Sequence, residues 1–261
     1  MKITVLGCGS STGVPMIGPD WGACDPNNPK NRRRRASIVV ESAATRVLID
    51  TPPELREQLL DCGVGDLDAA LFTHAHADHC HGIDDLRGIN YRNNRAFDIY
   101  TNEPTLTELE QRFSYAFQPP SPGKIWFRPA FTGHMITAGE QFRIGDLTVL
   151  PFAQIHGHTQ TLGFRFGNFA YSTDVNGLPE ASFDALQGLD TWLVDAARYR
   201  KTHGHAWVDL TLEWIARVKP RRAVLTHMSE ELDYDRLSKE LPEGVEPAYD
   251  GMQITLENDT F

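Results

Sequence analysis

Four histidines and an aspartate stand within positions 74–81 of FTHAHADHCHG, a stretch that begins at Phe72. Among them His74, His76, Asp78 and His79 spell HxHxDH. A buried core has no use for so many ionisable groups, because each one left without a partner costs free energy. Divalent ions would satisfy them together, and imidazole and carboxylate suit zinc, manganese or iron. The motif follows the apolar run AALFT, so HxH falls at a strand end, where alternate residues point the same way. One ion could take His74 and His76, and a second Asp78 and His79. Four groups do not complete two metal sites. His156 after TVLPFAQI, Asp174 in FAYSTD and His227 in RAVLTH each follow a strand-like run and can supply the rest, with His158 a competitor for His156. Asp174 would bridge, as the carboxylate left over once each ion has its own nitrogens. Two divalent ions outweigh two aspartates and a hydroxide, so the centre stays slightly positive and favours an anionic substrate. Ions roughly 3.5–4 Å apart can generate hydroxide at neutral pH and stabilise charge on a phosphoryl or carbonyl oxygen.

Sheet ends are needed to gather these groups. β-Branched runs predict strands over 3–6, 38–41, 46–50, 69–73, 148–152, 163–166, 169–172, 192–195, 222–226 and 253–256. Helical patterns predict helices over 53–62, 105–113, 179–186, 210–218 and 234–239, and another beginning near Ile83. The clearest helix has Pro53 at its start, Leu55, Leu59 and Leu60 on one face, and Gly63 as its stop. The least regular stretch, 118–133, is rich in proline and glycine and reads as a surface excursion bordering a site. With no linker and no repeat, the expectation is an α/β chain of sheets covered by helices. One domain would span 1–257, followed by a short tail over 258–261.

At 41% hydrophobic and 23% charged, the 261 residues have an ordinary globular profile. The formal net charge of −10 argues against a surface that coats nucleic acid, so no stable nucleic-acid binding is expected. Cys8, Cys24, Cys62 and Cys80 form no CxxC pair, which suggests neither a disulfide framework nor a thiolate zinc site. That usage fits a reducing cytosol. The apolar run in MKITVLGCGSSTG is too short for a signal sequence, and no stretch approaches the ~20 apolar residues of a membrane span. The expectation is a cytoplasmic protein with no membrane partner, and a homodimer as the default assembly.

HxHxDH followed by a lone histidine, a lone aspartate and a final histidine resembles the metallo-β-lactamase superfamily, over nearly the whole chain from LGCGSSTGVP to AYDGMQI. The resemblance implies a four-layer αββα sandwich with two divalent ions, zinc or manganese, at one edge of the paired sheets. It gives one ion His74, His76 and His156, the other Asp78, His79 and His227, with Asp174 as the bridge. Within the superfamily the chain is most similar to PhnP-like phosphodiesterases, through TLGFRFG, AYSTD, LTHMS, YDGMQI and HGHAWVDLTLEW. His205 in the last segment matches a family histidine that assists the leaving group, a role that suits an imidazole. His205 and the ligand Asp78 are therefore the catalytic candidates. Some members carry an additional structural zinc from a CxCxxC cluster and a later histidine. Here only Cys24 stands in DWGACDPNNP, and Glu230 occupies the histidine position, so no structural zinc is expected. The implied substrate is a small phosphodiester, a cyclic ribose phosphate or cyclic nucleotide. The alternatives are a transfer-RNA 3′-end endonuclease, a lactone or thioester hydrolase, and a non-catalytic metal-bearing protein.

Other residues divide between function and framework. Asp50, closing RVLID, either orients a metal-bound histidine or caps the helix after Pro52–Pro53, and Asp195, closing WLVD, poses the same choice. Arg87 and Tyr91 are substrate-side candidates by proximity to the motif. Arg32–Arg35 reads as a solvated loop, with phosphate steering as the functional reading. GCGSSTG lacks the lysine of a P-loop and reads as a tight turn near the site. RFSYAF, from Arg112, reads as a helix end packed on the core. His81, His134 and His203 read as surface residues.

Overall fold

In the computed structural model, which describes residues 1–118 and 130–256, alternate strand residues are buried against two different layers. Ile38 and Val40 of β2 (Ser37–Glu41), Val47 and Ile49 of β3 (Arg46–Ile49), and Ala69 and Leu71 of β4 (Ala69–Leu71) join a central core. Val39, Leu48 and Ala70 point into a second core on the opposite side. This period of two places a sheet between the cores. With β1 (Lys2–Gly7), β5 (Phe97–Thr101), β6 (Phe131–Met135) and β14 (Gln253–Thr255), the sheet runs β14-β1-β2-β3-β4-β5-β6.

The second sheet comprises β7 (Phe142–Ile144), β8 (Leu147–His156), β9 (Thr159–Phe166), β10 (Phe169–Ser172), β11 (Thr191–Asp195), β12 (Arg222–Thr226) and β13 (Val245–Pro247), ordered β13-β12-β11-β10-β9-β8-β7. Its Val149, Phe164 and Leu193 share the central core with Ile38 and Ile49, so the sheets pack face to face. Both sheets have one half antiparallel and one half parallel, and the change falls at β3 in the first and at β10 in the second. Leu55 of α1 (Leu55–Asp61), Cys80 of α2 (Ala77–Cys80), Ile89 of α3 (Arg87–Asn93), Leu109 of α4 (Glu103–Arg112) and Ala116 of α5 (Ser114–Phe117) cover the outer face of the first sheet. Phe183 of α6 (Glu180–Ala185), Trp214 of α7 (Val208–Val218) and Leu237 of α8 (Tyr234–Glu240) pack on the second. The result is the αββα sandwich. No described helix is long and apolar enough to cross a membrane.

Several expectations change. Strands β5, β6, β7 and β13 have no counterpart in the sequence reading, because they are short and their buried residues alternate with polar ones. Of the 118–133 excursion, Phe131–Gly133 belongs to β6, and 119–129 lies outside the described residues, as does the 258–261 tail. The helix expected near Ile83 is a 3₁₀ turn over Ile83–Leu86 that leads into α3. In α1, Leu55 is buried, but Leu60 is 59% exposed and Gln58 is buried in its stead. Five residues along a helix turn the side chain about 140° from its starting direction, whereas three bring it back to the same face. Gln58 is satisfied there, donating to the Arg35 carbonyl at 2.9 Å.

Candidate metal centre

Every candidate donor sits where a strand runs out. Asp50 follows β3, His74 and His76 follow β4, and Asp78 and His79 lie in α2, all on the first sheet. His156 closes β8, Asp174 lies just beyond β10 and His227 follows β12, all on the second. Of these strands β3, β4 and β10 lie at or next to the antiparallel-to-parallel switch of their sheets, a crevice position that α/β folds use for ligands, and β8 and β12 flank β10 two strands away on either side. Asp50, Asp174 and His227 have φ of 63°, 52° and 57°. Side chains rarely adopt this left-handed region, and residues kept there cluster at functional sites.

Donor atoms gather in overlapping groups, with the atoms of each group within 4.8 Å of one another: His74, His76, His156 and Asp174, then Asp78, His79, Asp174 and His227. Asp174 belongs to both, and its two oxygens face different ways. Oδ1 lies 3.9 Å from His74 Nε2 and 3.8 Å from His156 Nε2, while Oδ2 lies 3.0 Å from His79 Nε2 and 3.4 Å from His227 Nε2. Asp78 Oδ2 stands 3.3 Å from His79 Nε2 and 3.7 Å from His227 Nε2.

Hydrogen bonds behind the rings set which nitrogen is free. Asp50 accepts from His79 Nδ1, Thr73 N and Thr73 Oγ1, each at 2.8 Å. Because the Thr73 hydroxyl proton goes to Asp50, Thr73 Oγ1 accepts from His74 Nδ1 at 2.9 Å. The Gly204 carbonyl can only accept, so His156 Nδ1 donates to it. In all three rings Nε2 is left as the lone pair turned to the centre. The Nε2 atoms of His74, His79 and His227 are buried without a hydrogen-bond partner among the described residues. Orphaned nitrogens surrounded by carboxylate oxygens fit divalent ions, which would satisfy both at once.

Asp50 thus orients ligands and does not cap α1, whose N-cap Glu54 makes no side-chain capping bond. Burial raises the Asp50 pKa, against the pull of His79 and Thr73. Burial would also raise Asp78, but His79 and His227 hold it well below the usual carboxylate range. Replacing Asp50 by alanine frees the His79 ring and leaves the Thr73 amide unpaired. Metal affinity measured by competition with a chromogenic chelator should fall 10–100-fold, the usual scale for such outer partners.

His205 lies against the same centre, stacked on His227 with ring centroids 4.7 Å apart. Its Nδ1 is 3.2 Å from Asp195 Oδ2 and 3.7 Å from Asp174 Oδ1. Burial lowers its basicity, but the hydrogen bond and charge of Asp195, helped by Asp174, lift the pKa to about 9. A histidine raised above its unfolded value stabilises the fold fully below about 6.5, and that contribution is lost as pH rises through the folded pKa. In the metal-free protein the His205 ring should therefore titrate well above an ordinary histidine by NMR, and Asp195→Asn should bring it back down.

The remaining candidates separate cleanly. His158 is exposed in the β8–β9 turn, outside the donor groups, whereas His156 is buried. Arg87 donates to Asp84 and to the hydroxyl of the exposed Tyr91. His81 is exposed, with its ring 6.0 Å from Phe113, and His134 pairs with Asp98 and stacks on Tyr100. Phe113 and Phe117 of RFSYAF pack on the outer core, as expected of a helix end. GCGSSTG forms a turn joined to the segment after His227, through Ser10 N to the Met228 carbonyl at 3.1 Å. Arg32–Arg35 corrects the solvated-loop expectation. Only Arg32 is exposed, Arg34 and Arg35 pair with Asp61, Asp250 and Glu54, and Arg33 is buried. Cys24 donates to the Glu230 carbonyl at 3.4 Å and meets the Arg33 guanidinium. The sequence reading missed Thr73 and Gly204, whose parts depend on a hydroxyl and a carbonyl that carry no signature. Beside His74 and His76 opens a cleft of ≈ 610 Å³, lined also by Asn102, Glu108, Thr137 and Gln160.

A profile described as Beta-lactamase superfamily domain matches residues 45–228, which include every donor above. The crystal structure of a diphosphatase from the PhnP family superposes with a TM-score of 0.89 at 34% identity, covering 98% of each chain. The chain belongs to the metallo-β-lactamase superfamily and, within it, to the PhnP-like proteins. An octanoyltransferase of Porphyromonas gingivalis is 31% identical over 261 residues, 98% of this chain and 52% of that protein. A ribonuclease Z of Bradyrhizobium sp. (strain ORS 278) is 28% identical over 144 residues, 53% of this chain and 46% of that protein. The chain spans about half the length of these curated relatives.

Proposed function

We propose that the protein is a dinuclear phosphodiesterase acting on a small phosphodiester, a cyclic ribose phosphate or a nucleotide. The observation that carries this reading is Asp174, whose two oxygens face separate histidine groups. His74, His76, His156 and Asp174 Oδ1 would hold one divalent ion, and Asp78, His79, His227 and Asp174 Oδ2 the other, zinc or manganese in each case. Such a pair supplies an activated water nucleophile and positive charge against the phosphoryl oxygens. The chain's own residues do the rest. Asp50, Thr73 and Gly204 keep the ligand rings in the required tautomer. His205, held at Nδ1 by Asp195, offers its Nε2 proton to the departing oxygen. The cleft beside His76 takes the non-reacting part of the substrate.

The PhnP-family diphosphatase supports a phosphoryl substrate, and a diphosphate ester belongs in the same assay panel. Ribonuclease Z similarity favours RNA as a second substrate, but a net charge of −10 counts against a long polyanion. Acyl transfer has less support in this half of the octanoyltransferase match, since burial raises the pKa of all four thiols and makes them poor acyl acceptors. The same reading keeps these four free thiols in a reducing cytoplasm. The test is turnover of bis(p-nitrophenyl) phosphate, 2′,3′-cyclic nucleotides and nucleotide diphosphate esters by metal-loaded protein. Metal-dependent hydrolysis of the cyclic or diphosphate substrates supports the reading, and turnover of lactones or precursor RNA alone replaces it.

A further inference from the structure

Asn176 stands outside the donor groups, yet both ends of its side-chain amide are engaged between two site loops. Oδ1 accepts from Gly157 N at 3.0 Å, and Nδ2 donates to the His203 carbonyl at 2.6 Å. Gly157 follows His156, and His203 opens the segment that carries His205. The two segments are pressed together at a second point, where His156 Nδ1 meets the Gly204 carbonyl. A Cβ at Gly204 would come within 3.0 Å of the His156 ring, and one at Gly157, whose φ is +61°, within 3.4 Å of the His203 carbonyl. A side chain at Gly204 would press the His156 ring away, and at Gly157 the left-handed backbone disfavours one. Asn176 is itself fixed to β8, its N–H donating to the Ile155 carbonyl at 2.7 Å while Ile155 N–H donates to Gly177 at 2.9 Å. A rigid strand end thus presents one amide that holds the loop of the proton donor.

We propose that Asn176 is a positioning residue that sets where His205 stands relative to the reacting phosphorus, by clamping the 203–205 loop onto the His156 turn. This rests on the reading of His205 as proton donor. In the hydrolysis, water forms the new P–O bond, and the broken P–O bond leaves its electron pair on the departing oxygen. A ribose oxygen must take the His205 proton as it leaves, whereas p-nitrophenolate departs without one. Misplacing His205 therefore harms the first substrate and spares the second.

The experiment compares Asn176→Ala and Asn176→Asp with wild type and His205→Ala, all metal-loaded and with metal content measured. Asn176→Asp keeps the acceptor for Gly157 but offers no donor to the His203 carbonyl, so it should behave as the alanine variant does. Amide hydrogen exchange over 201–206 should quicken by on the order of tenfold while two ions are retained. Turnover of 2′,3′-cyclic AMP should fall on the order of 10- to 100-fold, and that of bis(p-nitrophenyl) phosphate should stay within about threefold. Unchanged exchange in Asn176→Ala, or equal losses on both substrates where His205→Ala discriminates between them, overturns the proposal. If His205→Ala itself shows no preference, the proton-donor reading fails separately, and the exchange rates alone decide for or against the clamp.

Discussion

Asp174→Ala is expected to bind at most one divalent ion and to lose on the order of 10³-fold or more in kcat, because neither histidine group keeps its shared carboxylate. Both Asp174 oxygens are within 3.9 Å of histidine nitrogens, and the side chain is buried. Elemental analysis of dialysed protein reads the stoichiometry directly. A second readout is thermal. An ion at a hundred times its Kd adds about 2.7 kcal/mol to the folded state, so the metal-induced rise in Tm should be much smaller in the variant. Asp174→Asn keeps size and the left-handed backbone but loses one anionic oxygen, and should retain a single ion. Two tightly held ions in Asp174→Ala would remove the bridge and with it the reading of the centre.

The largest expected stability effect belongs to Arg33, far from the substrate in role. Its side chain is 1% exposed and faces no carboxylate within salt-bridge distance among the described residues. It donates instead to the Ser229 carbonyl at 3.1 Å, the Leu232 carbonyl at 2.6 Å and Asn31 Oδ1 at 3.3 Å. One guanidinium thus ties the 24–33 segment to the stretch that follows His227. Arg33→Met fills much of the space but leaves two carbonyls without their charged donor. Charge-assisted bonds and stranded buried acceptors together set the loss at about 3–5 kcal/mol. Calorimetry should show a Tm lower by roughly 10 °C. Arg33→Lys keeps the charge but has no planar fork to reach the carbonyls together, and should recover less than half. A melt within ~2 °C of wild type would show that the 229–232 segment is held by other contacts.

These two residues mark how far the sequence could be read. Asp174, His156 and His227 were legible because ligand chemistry admits few residue types, and because each follows an apolar run that ends at a sheet edge. The sandwich was legible through the resemblance that those same residues carry. Arg33 was hidden in a run of four identical residues, and only packing separates the buried one from Arg32 in solvent. Leu60 reads as sharing a face with Leu55 on apolar type alone, whereas helical angle turns it to solvent and brings Gln58 inward. β5 and β6 escaped because FDIYT and FTGHM interleave polar residues that water can reach. The hydrogen bonds that free the Nε2 atoms run through Thr73 and the Gly204 carbonyl, and a backbone acceptor has no letter in the sequence.

The split origin of the donors gives the centre a mechanical side. Each proposed ion would be gripped by groups from both sheets: His74 and His76 with His156 at one, Asp78 and His79 with His227 at the other. The closest of these pairings across the sheets still spans roughly 80 residues of chain. Each ion is then a reversible cross-link, comparable in entropy to a disulfide that closes a long loop. Unlike a disulfide, it is released by protons, because imidazole must be neutral to bind. Acid should therefore unfasten both links within a narrow pH interval, and the sandwich should part first along the edge that carries the chemistry.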